Sequence, residues 1–185
     1  VAPPIYQSSL FTFKDYQELV DFHAGKIKHA IYSRVDNPTV EMFEEKMAEL
    51  EGAEAGAAFA SGIAAISNVI LSLVEKDDKV LAVNHIYPDT FRLLTQLCSK
   101  FGVHTDFVEG GDLNAIEENI KGKKLLYLES PNSWMMEEQN LQEISKIARK
   151  HGVTTVIDNS WASPIFQNPI ENGIDIVVHS ASKYL

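Results

Sequence analysis

From residue 55 onward, short apolar runs alternate with longer amphipathic ones, and few folds accept that rhythm. The runs AGAAFA (55–60), KVLAV (79–83), VHTDFV (103–108), KLLYLE (124–129), VTTVID (153–158) and DIVVHS (175–180) read as strands. The stretches 63–74, 89–101, 112–121 and 140–151 between the first five read as helices. A longer connection, roughly 159–174, joins the last two strands and contains Pro164 and Pro169. Strand–helix alternation of this kind implies parallel strands with helices covering both faces. The strand runs are nearly continuous in apolar residues, as strands buried on both sides require. The expected class is α/β, with a mostly parallel sheet.

Upstream of this rhythm the chain changes character. Residues 1–13 include Pro3-Pro4 and show no periodicity, so they read as an arm, and 14–24 fits a short helix. Asn37-Pro38-Thr39 then opens a helix that Gly52 closes, with Pro38 suited to its first turn. Met42, Phe43, Met47 and Leu50 recur at helical spacing and are expected to form its buried face. The division expected is an arm, 1–37, and a domain portion, 38–185. A net charge of -10 speaks against nucleic acid and anionic membranes as partners. No apolar run approaches the ~20 residues of a membrane span, and the first residues lack the pattern of a secretory leader. The one cysteine, Cys98, excludes an internal disulfide and fits a reducing compartment, the cytoplasm. Cys98 itself reads as a small packing residue. His23, His29, His104 and His151 lack ligand spacing, so no metal is expected.

In open parallel sheets, ligands bind beyond the carboxyl ends of the strands. The residues delivered there include Gly62 and Ile63, Tyr87, Asn132 and Ser133, Asp158, then Ser180, Ser182 and Lys183. Each has an ordinary role and a chemical one. Gly62 opens a helix, either as a plain turn or as a place where backbone N–H groups approach an anion. The G-x-G-x-x-G fingerprint of dinucleotide sites is absent. Asp158 caps a strand, either as a turn aspartate or as a carboxylate aimed at a cationic ring nitrogen. The latter pairing, at ~4 Å and an effective dielectric of ~20, is worth about 4 kcal/mol. Lys183 is a solvated surface group or, once partly desolvated, a nucleophile able to form an imine with an aldehyde. Ser180 and Ser182 bond within a turn or donate to phosphate oxygens. Tyr87 packs on the next helix or stacks on a planar ring. The meeting of all these groups at one sheet edge favours the chemical set.

These residues sit in longer signatures: PPIYQSS near the start, YSRVDNPT (32–39), LEGAEAG (50–56), ASGIAAI (60–66), ESP (129–131), IDNSWASP (157–164), QNPIENGID (167–175) and HSASKYL (179–185). Together they resemble the trans-sulfuration, or Cys/Met metabolism, family of pyridoxal-phosphate enzymes, nearest to its cystathionine β-lyase and cystathionine γ-synthase-like members. The resemblance runs through nearly the whole chain. It implies the large domain of a fold-type I pyridoxal-phosphate enzyme, with Lys183 carrying pyridoxal 5'-phosphate as an internal aldimine. Asp158 would pair with the pyridine nitrogen and Tyr87 would stack on the ring. The backbone of Gly62 and Ile63, with Ser180 and Ser182, would hold the phosphate. Tyr32 and Arg34 would reach the phosphate of the neighbouring subunit, which implies a homodimer or a homotetramer with shared active sites. Family members are about twice this length, so the chain is expected to be the N-terminal portion, truncated after the cofactor lysine. A C-terminal domain and the arginine that grips the substrate carboxylate would then lie beyond it.

Three departures from the family pattern stand out. Asn132-Ser133-Trp134 follows ESP where a small residue and Asn-Pro are usual, so the orienting asparagine is replaced by Ser133 or shifted to Asn132. Pro88-Asp89-Thr90 replaces the usual Gly-Gly-Thr after the tyrosine, and Asn159-Ser160-Trp161 replaces Asn-Thr-Phe. The first and third resemble bacterial cystathionine β-lyases. The expected reaction is therefore carbon–sulfur elimination from a sulfur amino acid such as cystathionine. In it Lys183 removes the α-proton, Asp158 keeps the ring nitrogen protonated, and Tyr87 assists the leaving sulfur. Two alternatives stay open: γ-replacement, as in cystathionine γ-synthase or an O-acyl-homoserine sulfhydrylase, and a non-catalytic scaffold of the same fold.

Overall fold

Residue choice at the element ends explains where the chain turns. The computed structural model describes residues 3–185; Val1 and Ala2 of the expected arm lie outside the described residues. Helix α1 (Tyr16–His23) starts at Asp15, whose side chain accepts from Glu18 N–H, and is followed by α2 (Pro38–Glu51). In α3 (Gly62–Leu73) the cap is Ser61, accepting from Ala64 N–H. Strand β1 (Lys79–Val83) leads into α4 (Pro88–Arg92), with Pro88 in its first turn. The helix then widens to π winding over Leu93–Cys98, which buries Leu93, Leu94 and Cys98. The expected packing role of Cys98 holds: it is fully buried, and burial pushes its thiol pKa up. Next come β2 (His104–Val108), α5 (Leu113–Asn119), β3 (Leu125–Glu129) and α6 (Leu141–His151). Asn140 caps α6, and Gly152, at φ 66°, ends it in the left-handed conformation that costs glycine least. The order closes with β4 (Thr154–Asp158), the short α7 (Ser163–Phe166) and β5 (Ile176–Val178).

By contacts the chain divides into two compact units. One comprises the residues up to Glu49 with Glu54–Ala58; the other comprises Leu50–Ala53 and Phe59–Leu185. In the first, Leu10 and Tyr32 form an isolated antiparallel bridge. Asn37 ties the turn before α2, donating to Tyr6 O and Ser33 Oγ while accepting from Thr39 N–H. The expected apolar face of α2 is not buried: Phe43 and Leu50 stay 43% and 54% exposed.

The second unit holds a five-stranded sheet in the order β2-β1-β3-β4-β5, parallel throughout. Crossovers between parallel strands are right-handed. The outward step from β1 to β2 therefore carries α4 on one face, and the returns to β3 and β4 carry α5 and α6 on the other. The packing agrees, with α3 against α4 and α5 against α6. All five residues of β3 are buried, as a central strand covered on both faces requires. Tyr127, Leu126, Leu128, Leu81 and Ile157 are fully buried at the middle of the core.

The expectation of a strand at 55–60 is overturned. That run joins none of the five strands and packs instead on α2. Ala58 N–H donates to Glu44 Oε1 at 2.7 Å, and a Cβ on Gly56 would lie 2.5 Å from the Glu44 carbonyl oxygen. A run of alanines and a glycine supplies little β-branched bulk to hold a pleated surface and lets backbone approach backbone closely.

Candidate active site

The strand order reverses direction between β1 and β3, whose onward connections leave toward opposite edges, and such a switch point opens a crevice at the carboxyl ends. A cavity of about 270 Å³ lies there, lined by residues following β1, β3, β4 and β5. Tyr87, Asn132, Ser133, Asp158 and Lys183 all reach it, together with Glu129, Ser160 and Trp161.

Register sets the floor of the cavity. Glu129 and Asp158 are paired positions at the tips of β3 and β4, so their carboxyl groups emerge on the same face of the sheet, one strand spacing apart. Asp158 is 9% exposed, and its Oδ1 accepts from Ser160 N–H at 2.9 Å. It thus serves as a turn aspartate and as a cavity carboxylate at once. Burial, with the Asp158 charge beside it, pushes Glu129 up to about 7, against the lowering effect of donors from Ser133 and Tyr87.

Tyr87 enters from the turn after β1. Its N–H donates to Glu129 Oε2 at 2.7 Å and its hydroxyl to Asp89 Oδ2 at 3.1 Å; that bond and the Asp89 charge raise the phenol pKa. Lys183 Nζ sits 5.2 Å from the centre of the Tyr87 ring. The Lys183 side chain is exposed. The turn carrying it is closed by Lys183 N–H donating to Ser180 O at 3.1 Å. Ser180 N–H in turn donates to Ser160 Oγ at 2.6 Å, and the Ser180 and Ser182 hydroxyls are 3.4 Å apart.

Gly62 faces this serine turn. A Cβ there would lie 2.6 Å from Ser180 Cβ and 2.8 Å from Ser180 Oγ, so only glycine fits. The N–H groups of Gly62 and Ile63, at the first turn of α3, fall outside that helix's own bonding ladder. Gly62→Ala in the intact protein is expected to cost roughly 1–3 kcal/mol through overpacking; urea unfolding midpoints measure it.

Of the two candidates for an orienting polar group, Asn132 is spent on its own loop. Its Oδ1 accepts from Met135 and Glu137 N–H, and its Nδ2 donates to Glu137 Oε2. Ser133 instead donates its hydroxyl to Glu129. Tyr32 and Arg34 belong to the first unit, where the Arg34 guanidinium lies 5.2 Å from the centre of the Tyr32 ring.

Sequence reasoning passed over two features. Glu129 was visible as a strand-end residue, but its link to Tyr87 spans 42 positions and no spacing rule shows it. The second is a buried network behind the site. His179 Nε2 and Asn159 Nδ2 both meet Glu51 Oε1, at 2.5 and 3.1 Å. Gln167 joins it through Asn159 Oδ1 and Ser130 O. This network braces the residues just before Ser180 and just after Asp158.

An amine, a carboxylate, an aromatic ring and a glycine–serine cradle at a helix N-terminus fit a phosphorylated aromatic aldehyde. A family model described as Cys/Met metabolism PLP-dependent enzyme matches residues 1–185, and the chain belongs to that family. It is 41% identical over its whole length to an L-methionine gamma-lyase of Pseudomonas putida, covering 47% of that protein. It is 39% identical to a cystathionine beta-lyase of Lactococcus lactis subsp. cremoris, again over 100% of this chain and 47% of the relative. Among solved structures, metB from Corynebacterium glutamicum superposes with a TM-score of 0.90 at 31% identity, over 99% of this chain and 46% of that one. A candidate O-acetylhomoserine (thiol)-lyase from Campylobacter jejuni, with N'-pyridoxyl-lysine-5'-monophosphate, superposes with a TM-score of 0.89 at 30% identity, over 99% of this chain and 46% of that one. The chain spans about half the length of the relatives it matches. The resemblance read in the motifs is borne out for the family, the fold-type I architecture and the pyridoxal-phosphate cofactor of the family. No helix among the described residues is long and apolar enough to cross a membrane.

Proposed function

We propose that this chain forms the cofactor-binding part of a carbon–sulfur lyase that acts on a sulfur amino acid such as cystathionine. The observation that carries the reading is the convergence of Lys183, Tyr87 and Asp158 on one cavity at the strand tips. In this reading Lys183 anchors pyridoxal phosphate covalently through its amine. Asp158, nearly buried, holds a proton on the ring nitrogen, and Tyr87 stacks against the ring. Gly62 and Ile63 N–H groups, with the Ser180 and Ser182 hydroxyls, bind the phosphate. Charge-assisted bonds of that kind contribute about 1.5–3 kcal/mol each. When bound, the cofactor supplies a ring that accepts electrons from the substrate's α-carbon. With its amine free, Lys183 would withdraw the α-proton, and the Tyr87 hydroxyl would assist the departing sulfur. Ser133, which lines the same cavity and shares the Glu129 carboxylate with Tyr87, is assigned to the substrate.

Tyr32 and Arg34 are assigned to the site of a second subunit, in a homodimer or a tetramer of two such dimers. The single buried thiol supports a cytoplasmic location. A γ-replacement reading has its own support: the chain is 35% identical to an O-succinylhomoserine sulfhydrylase of Pseudomonas aeruginosa. The intact protein is expected to show a visible cofactor band and to release keto acid and ammonia from cystathionine. Formation of a thioether from an O-acyl-homoserine plus a thiol, with no elimination, would transfer the assignment to γ-replacement. A colourless protein inert to added pyridoxal phosphate would leave only a scaffold.

A further inference from the structure

We propose that Glu129 is a positioning residue whose carboxylate fixes the main chain of Tyr87 and the hydroxyl of Ser133 on the cavity wall. The inference rests on the reading that Tyr87 and Ser133 face cofactor and substrate.

Glu129 ends the central strand β3 and is 6% exposed. Its Oε2 accepts from Tyr87 N–H at 2.7 Å, and its Oε1 accepts from the Ser133 hydroxyl. Ser133 N–H donates to His85 O at 3.1 Å, and the Glu129 carbonyl accepts from Gln139 Nε2 at 2.5 Å. One buried carboxylate therefore joins the turn after β1 to the loop after β3. These are the two segments that flank the switch point. A buried acceptor cannot be left half-satisfied without cost, so the two segments are held together as long as Glu129 is ionised.

The charged and titratable groups around it come from every neighbouring element. Asp158 stands beside it on β4, Tyr127 lies two residues back on β3, and Tyr87 carries Asp89 with it after β1. Lys183 shares the cavity from the β5 side, and His85 and Glu137, 3.9 Å apart, flank the loops. With its pKa pushed up to about 7, Glu129 is ionised above that pH and accepts both bonds. Below it, a proton occupies one oxygen and one of the two acceptor positions is lost. Loosening of Tyr87 and Ser133, and with it a fall in kcat/KM, therefore belongs to the acid side.

The test uses the intact protein with Glu129→Gln and Ser133→Ala. The amide of Glu129→Gln still accepts from Tyr87 N–H but turns an NH2 toward Ser133, so the fold is kept. Infrared difference titration reads the Glu129 proton directly, with or without cofactor. A carboxyl signal titrating near 7 is expected, absent in Glu129→Gln and shifted to higher pH in Ser133→Ala, which removes a donor to the ionised form. Glu129→Gln is also expected to keep the cofactor band, lose the acid limb of the kcat/KM profile, and lower kcat/KM roughly 10–100-fold, the size of one charge-assisted bond. An unchanged pH profile in Glu129→Gln, or an unmoved carboxyl midpoint in Ser133→Ala, would overturn the inference. A wild-type protein without cofactor would sink the functional reading instead; the infrared comparison would still decide for or against Glu129 as the clasp.

Discussion

Lys183→Ala in the intact protein is expected to remove the visible cofactor band and to lower sulfur-amino-acid turnover by more than about 10⁴-fold, combining the loss of covalent anchoring with the loss of a general base. The structure makes this a clean experiment. The Lys183 side chain is exposed and forms no ion pair among the described residues, so its removal should leave unfolding within about 0.5 kcal/mol of wild type. The turn that carries it is held by main-chain and serine bonds, not by the amine. Absorbance spectra, urea melts and keto-acid release on one preparation separate chemistry from folding. Wild-type turnover in Lys183→Ala would refute the assignment.

Asp158→Asn carries the second-largest effect. The amide keeps an oxygen to accept from Ser160 N–H, so the turn after β4 survives. What goes is the negative charge that, in the proposed reading, faces the ring nitrogen. At ~4 Å and an effective dielectric of ~20 that charge is worth about 4 kcal/mol, which sets an upper expectation of about 10³-fold on kcat. Most of the cofactor should be retained, because the Gly62 and Ser180 cradle is untouched. Stopped-flow rates of α-proton removal, compared with the amount of bound cofactor, measure the effect. A near-normal rate would take Asp158 out of the mechanism.

Much of the fold was legible because buried parallel strands advertise themselves. KVLAV and KLLYLE are largely apolar and VTTVID is largely β-branched, all of strand length, and the strands form over 79–83, 125–129 and 154–158. The run 55–60 misled because alanine and glycine satisfy an apolar count without supplying the bulk that holds a strand. The apolar stripe at Phe43 and Leu50 misled differently: periodicity shows which residues share a helix face, not whether anything covers it. The π winding at Leu93–Cys98 left no sequence trace, since it is a shift in bonding register within an ordinary helical composition. Lys183, Asp158 and Tyr87 were readable from their place at strand tips together with the surrounding signatures. Glu129 was not, because its meaning lies in an amide 42 residues upstream.

Strand order divides the proposed site unevenly across the sheet. Tyr87, Glu129 and Asp158 hang from β1, β3 and β4, which lie side by side, whereas the amine arrives behind β5, a three-residue strand held on one side by β4. In the reading proposed above, the acidic and aromatic walls rest on three adjacent strands, and the amine follows a strand that only β4 pairs with among the described residues. Loss of the β4–β5 pairing would therefore displace the amine while leaving those walls in register.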